Sequence, residues 1–283
     1  LTFTAALVLG IGVAGNASEP IQLASAPALS PDGSKLAFEW RGDIWLADSN
    51  GGSAQRLTTD SGRDSQPHFS PDGSRLAFVS NRMGSSQIYV MPTSGGVPAQ
   101  VTHHSEGYRL HDWFPDGTSV LASGSRDHHW RGSERLLRVR IDRRVADEVL
   151  ADATATDASL DRKGRRVLFV REGERWWRKG YQGERAAQVW LLDLKTGSFE
   201  EVLHEGVDCR WPLWQRNGKA FYFTKGDSSG FGLWRHRFAK DDETPAQQRE
   251  LVDFDDDSVV FPSIARDSGL IVFRHLFDLY RYQ

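Results

Sequence analysis

From residue 26 to the C terminus, short apolar stretches alternate with polar, glycine-bearing turns, a pattern too brief for helices and suited to β-strands. One turn recurs. Ser30-Pro31-Asp32-Gly33-Ser34-Lys35-Leu36-Ala37-Phe38 returns almost letter for letter as Ser70-Pro71-Asp72-Gly73-Ser74-Arg75-Leu76-Ala77-Phe78. A third copy reads Phe114-Pro115-Asp116-Gly117-Thr118-Ser119-Val120-Leu121-Ala122. Weaker copies place turn glycines at Gly164, Gly218 and Gly269, so six turns recur 40–54 residues apart. Proline presets φ at the second turn position, the aspartate bonds nearby backbone and glycine closes the turn, which makes each copy a tight hairpin.

Each unit reads as four strands. An apolar strand precedes the turn (residues 26–29, 67–69 and 110–114), and a Leu-Ala-Phe strand follows it. An aromatic strand comes third, as in Asp43-Ile44-Trp45-Leu46, Gln87-Ile88-Tyr89-Val90, Val189-Trp190-Leu191-Leu192 and Gly232-Leu233-Trp234-Arg235. A fourth, outer strand closes the unit, as at residues 55–58, 99–102 and 201–203. Four-stranded units of this length repeated six times predict an all-β fold, a six-bladed β-propeller of antiparallel blades over residues 19–283. Trp45, Tyr89, Trp190 and Trp234 hold equivalent third-strand positions and are expected to pack between blades.

The N-terminal segment, residues 1–18, reads differently. Its apolar run, residues 2–14, leads to Ala17-Ser18-Glu19-Pro20, and this resembles the apolar region and cleavage site of a secretory signal. Export to a periplasmic or extracellular space is the expectation. The Gly10-Ile-Gly12-Val-Ala-Gly15 pattern inside the run has no strand-helix frame that would make it a dinucleotide site. The last unit ends without its outer strand. Residues 21–24 are one candidate for that place, sequence after Gln283 is the other, and a stop so near a strand is expected of a fragment boundary.

Up-and-down strands sort the loops by face. The connections from second to third strand, and from one blade to the next, share a rim that carries the long loops. Residues 123–134 (SGSRDHHWRGSE) and 171–187 (REGERWWRKGYQGERAA) both fall there, with residues 103–109 and 204–211. Trp130, Arg131, Trp176, Trp177, Arg178, Lys179 and Tyr181 are therefore the candidate contact residues for peptides or protein domains. Packing of these loops on one another is the competing reading.

Charge narrows the partners. Thirty-five basic and 38 acidic residues give a net charge of −3, too balanced for nucleic acid or a polybasic membrane surface. The single cysteine, Cys209, excludes an internal disulfide and any Cys-based zinc site. No membrane span is read in the mature chain, and a homo-oligomer stays open.

Catalytic candidates fail on context. Gly226-Asp227-Ser228-Ser229-Gly230 matches G-x-S-x-G, but strands flank it on both sides where a nucleophile elbow needs a strand and a helix. Histidines 103, 104, 111, 128 and 129, with Asp112 and Asp127, lack a sharp ligand spacing, and residues 253–257 lack the EF-hand pattern. Cys209 beside Arg210 has no placed histidine. The sequence assigns no catalytic, metal or cofactor site to this chain.

The Ser-Pro-Asp-Gly units resemble the propeller repeats of TolB-like proteins, tricorn-type proteases and prolyl-oligopeptidase relatives. Trp177-Arg178-Lys179-Gly180-Tyr181-Gln182-Gly183, leading to Gln188-Val189-Trp190, resembles the fourth blade of the six-bladed propeller of tricorn proteases, and residues 223–232 resemble its next blade. The resemblance covers about residues 25–283 and is weakest in blade 3. It implies the N-terminal propeller of an exported serine peptidase, with the catalytic domains beyond Gln283, that gates or docks peptides and contacts neighbouring domains. The alternative it leaves is a TolB-like scaffold propeller that binds protein partners.

Overall fold

The computed structural model describes residues 5–7, 9–11, 19–125, 134–173, 175–178, 180–240 and 245–283, and its regular elements there are all β-strands. Six four-stranded antiparallel sheets follow one another along the chain. Blade 1 comprises Ser25–Leu29, Lys35–Trp40, Asp43–Asp48 and Gln55–Arg56, from the axis outward. Blade 2 comprises Asp64–Phe69, Arg75–Ser80, Gln87–Pro92 and Ala99–Gln100. Blade 3 comprises Arg109–Trp113, Ser119–Gly124, Arg135–Arg140 and Glu148–Ala151. Blade 4 comprises Thr156–Leu160, Arg166–Arg171, Gln188–Asp193 and Phe199–Leu203. Blade 5 comprises Cys209–Trp214, Ala220–Gly226, Phe231–Arg237 and Gln247–Val252. Blade 6 opens with Val260–Ile264, Ile271–His275 and Asp278–Tyr282. Each innermost strand touches the next, and that of blade 6 returns to blade 1, so the ring is closed around a central channel.

The turns explain why the repeats fold alike. In blade 1 the Ser30 hydroxyl donates to the Asp32 carboxylate at 2.6 Å, and that carboxylate accepts the Ser34 N–H at 3.0 Å. Gly33 sits at φ +82°, a conformation glycine adopts without a Cβ penalty. Blade 2 repeats the set, with Ser70 donating to Asp72 at 2.5 Å and Ser74 N–H at 3.1 Å.

Alternation along each strand sends apolar side chains to both faces of every blade, and they meet in six clusters, one for each neighbouring pair. Leu29, Phe38 and Trp45 of blade 1 meet Ala265, Leu270 and Val272 of blade 6. Phe114, Leu121 and Leu136 of blade 3 meet Val167, Phe169 and Leu192 of blade 4. The third-strand aromatics divide. Trp45 and Tyr89 are buried at 8% and 3% exposure. Trp190 and Trp234 are half-buried, with the Arg171 guanidinium 4.8 Å over one ring and the Lys225 ammonium 4.9 Å over the other.

Ring closure differs from both arrangements the sequence suggests. Ala5–Leu7 takes the outer place in blade 6, antiparallel to Asp278–Tyr282, with Ala5 opposite Arg281 and Leu7 opposite Leu279. Residues 21–24 instead run past the edge, Ile21 N–H bonding Leu9 O and Leu23 N–H bonding Phe277 O. Leu9–Ile11 forms a small separate sheet with Glu19–Pro20 and Gly52–Ser53. The chain end thus adds backbone hydrogen bonds to a ring that inner-strand contacts and the blade 6–blade 1 apolar cluster already join.

Candidate functional site at the long-loop mouth of the channel

All six innermost strands carry a register shift against their neighbours, at residues 26–27, 66–67, 111, 157–158, 211–212 and 261–262. Five of the bulged residues, Ala26, Gln66, Asp157, Trp211 and Phe261, have φ between +45° and +53°. A non-glycine residue at such a φ is strained, and bulges commonly re-aim a side chain beside a functional site. Ala26, Gln66, His111, Asp157, Trp211 and Phe261 are each half-buried on the innermost strand, on the channel wall near its long-loop end.

This wall is two-sided. Blades 2–4 contribute polar groups, each tied to a neighbour. The Gln66 side-chain oxygen accepts the Leu110 N–H of blade 3 at 3.2 Å. His111 Nε2 lies 2.9 Å from Ser123 Oγ, which donates to Glu134 at 2.8 Å, and Glu134 pairs with Arg109 at 3.1 Å. Burial, seconded by the Arg109 charge, pushes the His111 imidazole down to about 3, so it is neutral near pH 7. Asp157 accepts the Trp211 backbone N–H and lies 3.9 Å from Arg210, yet its burial dominates and raises its pKa.

Blades 5 and 6 contribute aromatics, and the long loop of blade 4 completes them. Trp211 and Phe261 pack at 5.4 Å between ring centres, and Phe231 adjoins Trp211 at 6.0 Å. Trp176 reaches across from blade 4 to lie 5.1 Å from Phe261 and 6.5 Å from Trp211. The Arg274 guanidinium stands 5.1 Å over Phe261 and 5.8 Å over Trp176, its Nε buried without a hydrogen-bond partner among the described residues. Desolvation there lowers its pKa. Such a wall offers flat apolar area and one cation at low entropy cost.

Local bonds hold the blade 4 loop over blade 5. Gln182 bridges to Val207, Gly183 N–H donates to Gly206 O at 2.9 Å, and Gly180 lies against the Asp227-Ser228 backbone. Of the candidate residues, Trp176, Trp177, Arg178 and Tyr181 are brought together: Trp177 stacks edge-on to Trp176 at 5.8 Å, and Arg178 lies 5.0 Å over Tyr181. Trp177 is 58% exposed. Trp130, Arg131 and Lys179 lie outside the described residues, as do Asp127, His128 and His129. The loop packing that competes with a binding role is thus real for Trp176 and Tyr181, while Trp177 and Arg178 remain at the surface.

The other sequence candidates separate in space. Ser228 sits in the hairpin loop between Ala220–Gly226 and Phe231–Arg237, where the Asp227 carboxylate accepts Ser229 N–H at 2.7 Å and Gly230 N–H at 2.9 Å. Cys209 is buried, and burial pushes its thiol up to about 12, so it is not a nucleophile near neutral pH. Asp256 of the acidic run pairs with the buried His275 at 3.1 Å. Among the described residues no three His, Cys, Asp or Glu side chains gather closely enough to hold a metal ion.

Sequence reasoning missed Phe261, Asp157 and Arg274, weighed His111 only as a metal ligand and placed Trp211 on the long-loop rim without naming it a contact residue. A signal was present. Ala26-Pro27, Gln66-Pro67, Trp211-Pro212 and Phe261-Pro262 mark the bulge in four blades, and the residue before each proline is half-buried at a positive φ.

Residues 21–283 match the family model described as the tricorn protease N-terminal beta propeller domain. The chain belongs to this family. Tricorn protease homolog 1 of Streptomyces coelicolor is 28% identical over 205 residues, 68% of this chain and 18% of that protein. The chain spans 18–37% of the length of the curated relatives it matches. In fold it superposes on the tricorn protease with a TM-score of 0.74 at 18% identity, over 92% of this chain and 25% of that one. A TolB-type protein from Agrobacterium tumefaciens gives a TM-score of 0.68 at 19% identity, over 100% of this chain and 99% of that one.

Proposed function

We propose that this tricorn-family propeller is the non-catalytic domain of an exported peptidase, acting in the periplasm or outside the cell, and that its long-loop mouth docks peptides and neighbouring domains. One observation carries the reading: Trp176, Trp211, Phe261 and Arg274 form a half-exposed aromatic and cationic wall at that mouth, with Trp211 and Phe261 on strained bulges. Rigid aromatics and arginine are the residues on which contact energy concentrates. Trp177 and Arg178 extend the wall outward to where a partner approaches. The apolar run ahead of Glu19 supports export.

The test is the double variant Trp177→Ala/Arg178→Ala in the parent protein. Association of the propeller with the remaining domains is expected to weaken about fivefold or more, the effect of losing a modest contact centre, with the propeller's melting unchanged. Unchanged association with unchanged melting rejects this face. A TolB-like scaffold is the second reading, favoured by the near-complete mutual coverage with the TolB-type structure. The mature protein's mass separates the two, because a scaffold ends with the propeller and a peptidase continues far beyond it.

A further inference from the structure

The opposite end of the channel is built differently. The short turns of four blades converge there. Asp267 N–H in the blade 6 turn donates to Pro31 O of blade 1 at 2.8 Å. Arg162 of the blade 4 turn donates to the Arg266 carbonyl at 3.3 Å and pairs with Asp267 at 2.8 Å. Arg216 of the blade 5 turn donates to the Asp267 carbonyl at 3.0 Å. From this knot the Arg266 side chain extends to blade 3, where its Nη2 donates to the Asp112 carboxylate and, at 3.3 Å, to the Trp113 carbonyl. Blades 3 and 6 are opposite members of a ring of six. The contact therefore spans the channel.

Its receiving end is fixed. Asp112 also accepts the Leu160 N–H of blade 4 at 2.9 Å and the Trp113 N–H at 2.8 Å. Beside the pair lies a cavity of about 60 Å³, lined by Ala28, Leu29, His68, Phe69 and Ser263 as well as by Asp112 and Arg266. That space holds a few waters and no extended peptide. His68 is held uncharged chiefly by burial, with the Arg266 charge acting in the same direction and Asp112 against it.

We propose that the Arg266–Asp112 pair is a bar that closes the short-turn end, making the channel a well entered from the long-loop mouth and not a passage. Arginine suits the part because its planar, permanently charged fork can reach across and bond a carboxylate and a carbonyl together. Opening the bar leaves a shielded carboxylate without its counter-charge, which makes opening costly. Whatever enters at Trp211 and Phe261 must leave by the same mouth. This consequence rests on the docking reading above, while the bar itself stands on the ring geometry alone.

The experiment compares two single cysteines in the full chain carrying Cys209→Ser: Ala28→Cys, in the barred cavity, and Ala26→Cys, at the mouth. Their reaction rates with N-ethylmaleimide are read with Arg266 present and as Arg266→Ala. Removing the bar is expected to raise the Ala28→Cys rate about tenfold or more relative to Ala26→Cys, since with the bar in place the reagent reaches that site only by way of the mouth or through local opening. A ratio that does not change overturns the proposal. Should Arg266→Ala fail to fold, Asp112→Asn is read in its place. It keeps an acceptor for Leu160 and removes the charge, so the same rise is expected and its absence is equally decisive. Mouth variants test docking separately, so either reading can fail alone.

Discussion

Single carboxylates and one histidine give the propeller an acid profile that can be read residue by residue. Hydrogen bonds from Ser30 and Ser34 hold Asp32 down to about 2, and Ser70 and Ser74 do the same for Asp72. A carboxyl depressed by folding contributes stability that is complete above its ordinary value near 3.8 and is lost as pH falls towards 2. His111 acts in another window. Its folded value of about 3 lies below the ordinary 6.5, so the unfolded chain takes up a proton first and stability declines from about pH 6.5 downward. Denaturant unfolding of the wild type, Asp72→Asn and His111→Gln across pH 7 to 2 separates the two. Asp72→Asn is expected to flatten the profile below pH 4, and His111→Gln to flatten it between pH 6.5 and 3. Three parallel profiles would sink both assignments. The Asp turns were legible because their chemistry is local. His111 was not, because its depression comes from the blades packed around it.

At the level of strands and loops, six copies of one hairpin turn identified the blades, and the aromatic third strands were placed in register with them. The bulges escaped because they break the two-residue alternation by which strands are read. Phe261 therefore looked like an ordinary inner-strand residue and Trp211 like the end of a loop, although the X-Pro dipeptides marked both. Equivalent positions are also not equally buried. Trp45 is 8% exposed against Leu270 and Val272 of the next blade, whereas Trp190 is half-buried with Arg171 on its ring. Trp45→Ala is expected to cost about 3–5 kcal/mol, the range for emptying a core site. Trp190→Ala is expected to cost about 1–3 kcal/mol, because water already reaches part of the ring and the cation contributes about 1 kcal/mol. Chemical denaturation at matched slope measures both. Equal losses would mean that Trp190 is as deeply packed as Trp45.

For the whole molecule, closure is where the sequence and the structure pull on the same residues. Residues 2–14 read as a leader, yet Ala5–Leu7 pairs with Asp278–Tyr282 as the outer strand of blade 6. Apolar, β-prone composition suits both roles, which is why periodicity could not choose between them. The two uses have different physical consequences. Without Ala5–Leu7, the edge of Asp278–Tyr282 exposes unpaired backbone groups, and the last blade keeps only its side-chain packing and its bonds through other residues, among them Leu23 N–H to Phe277 O, Asp267 N–H to Pro31 O and Leu29 N–H to Ser263 Oγ. Residues 19–283 should therefore melt several degrees below the full chain, given that about 1 kcal/mol shifts a chain of this size by 2–4 °C. They should also self-associate with rising concentration through the open edge. Calorimetry and light scattering on the two chains decide it. Identical melting and identical scattering would show that Ala5–Leu7 adds nothing to closure, leaving the apolar run to its role as a leader. A lower melting point for 19–283 would mean that cleavage at that position gives up part of the ring's stability, which a neighbouring domain docked on blade 6 would then have to restore.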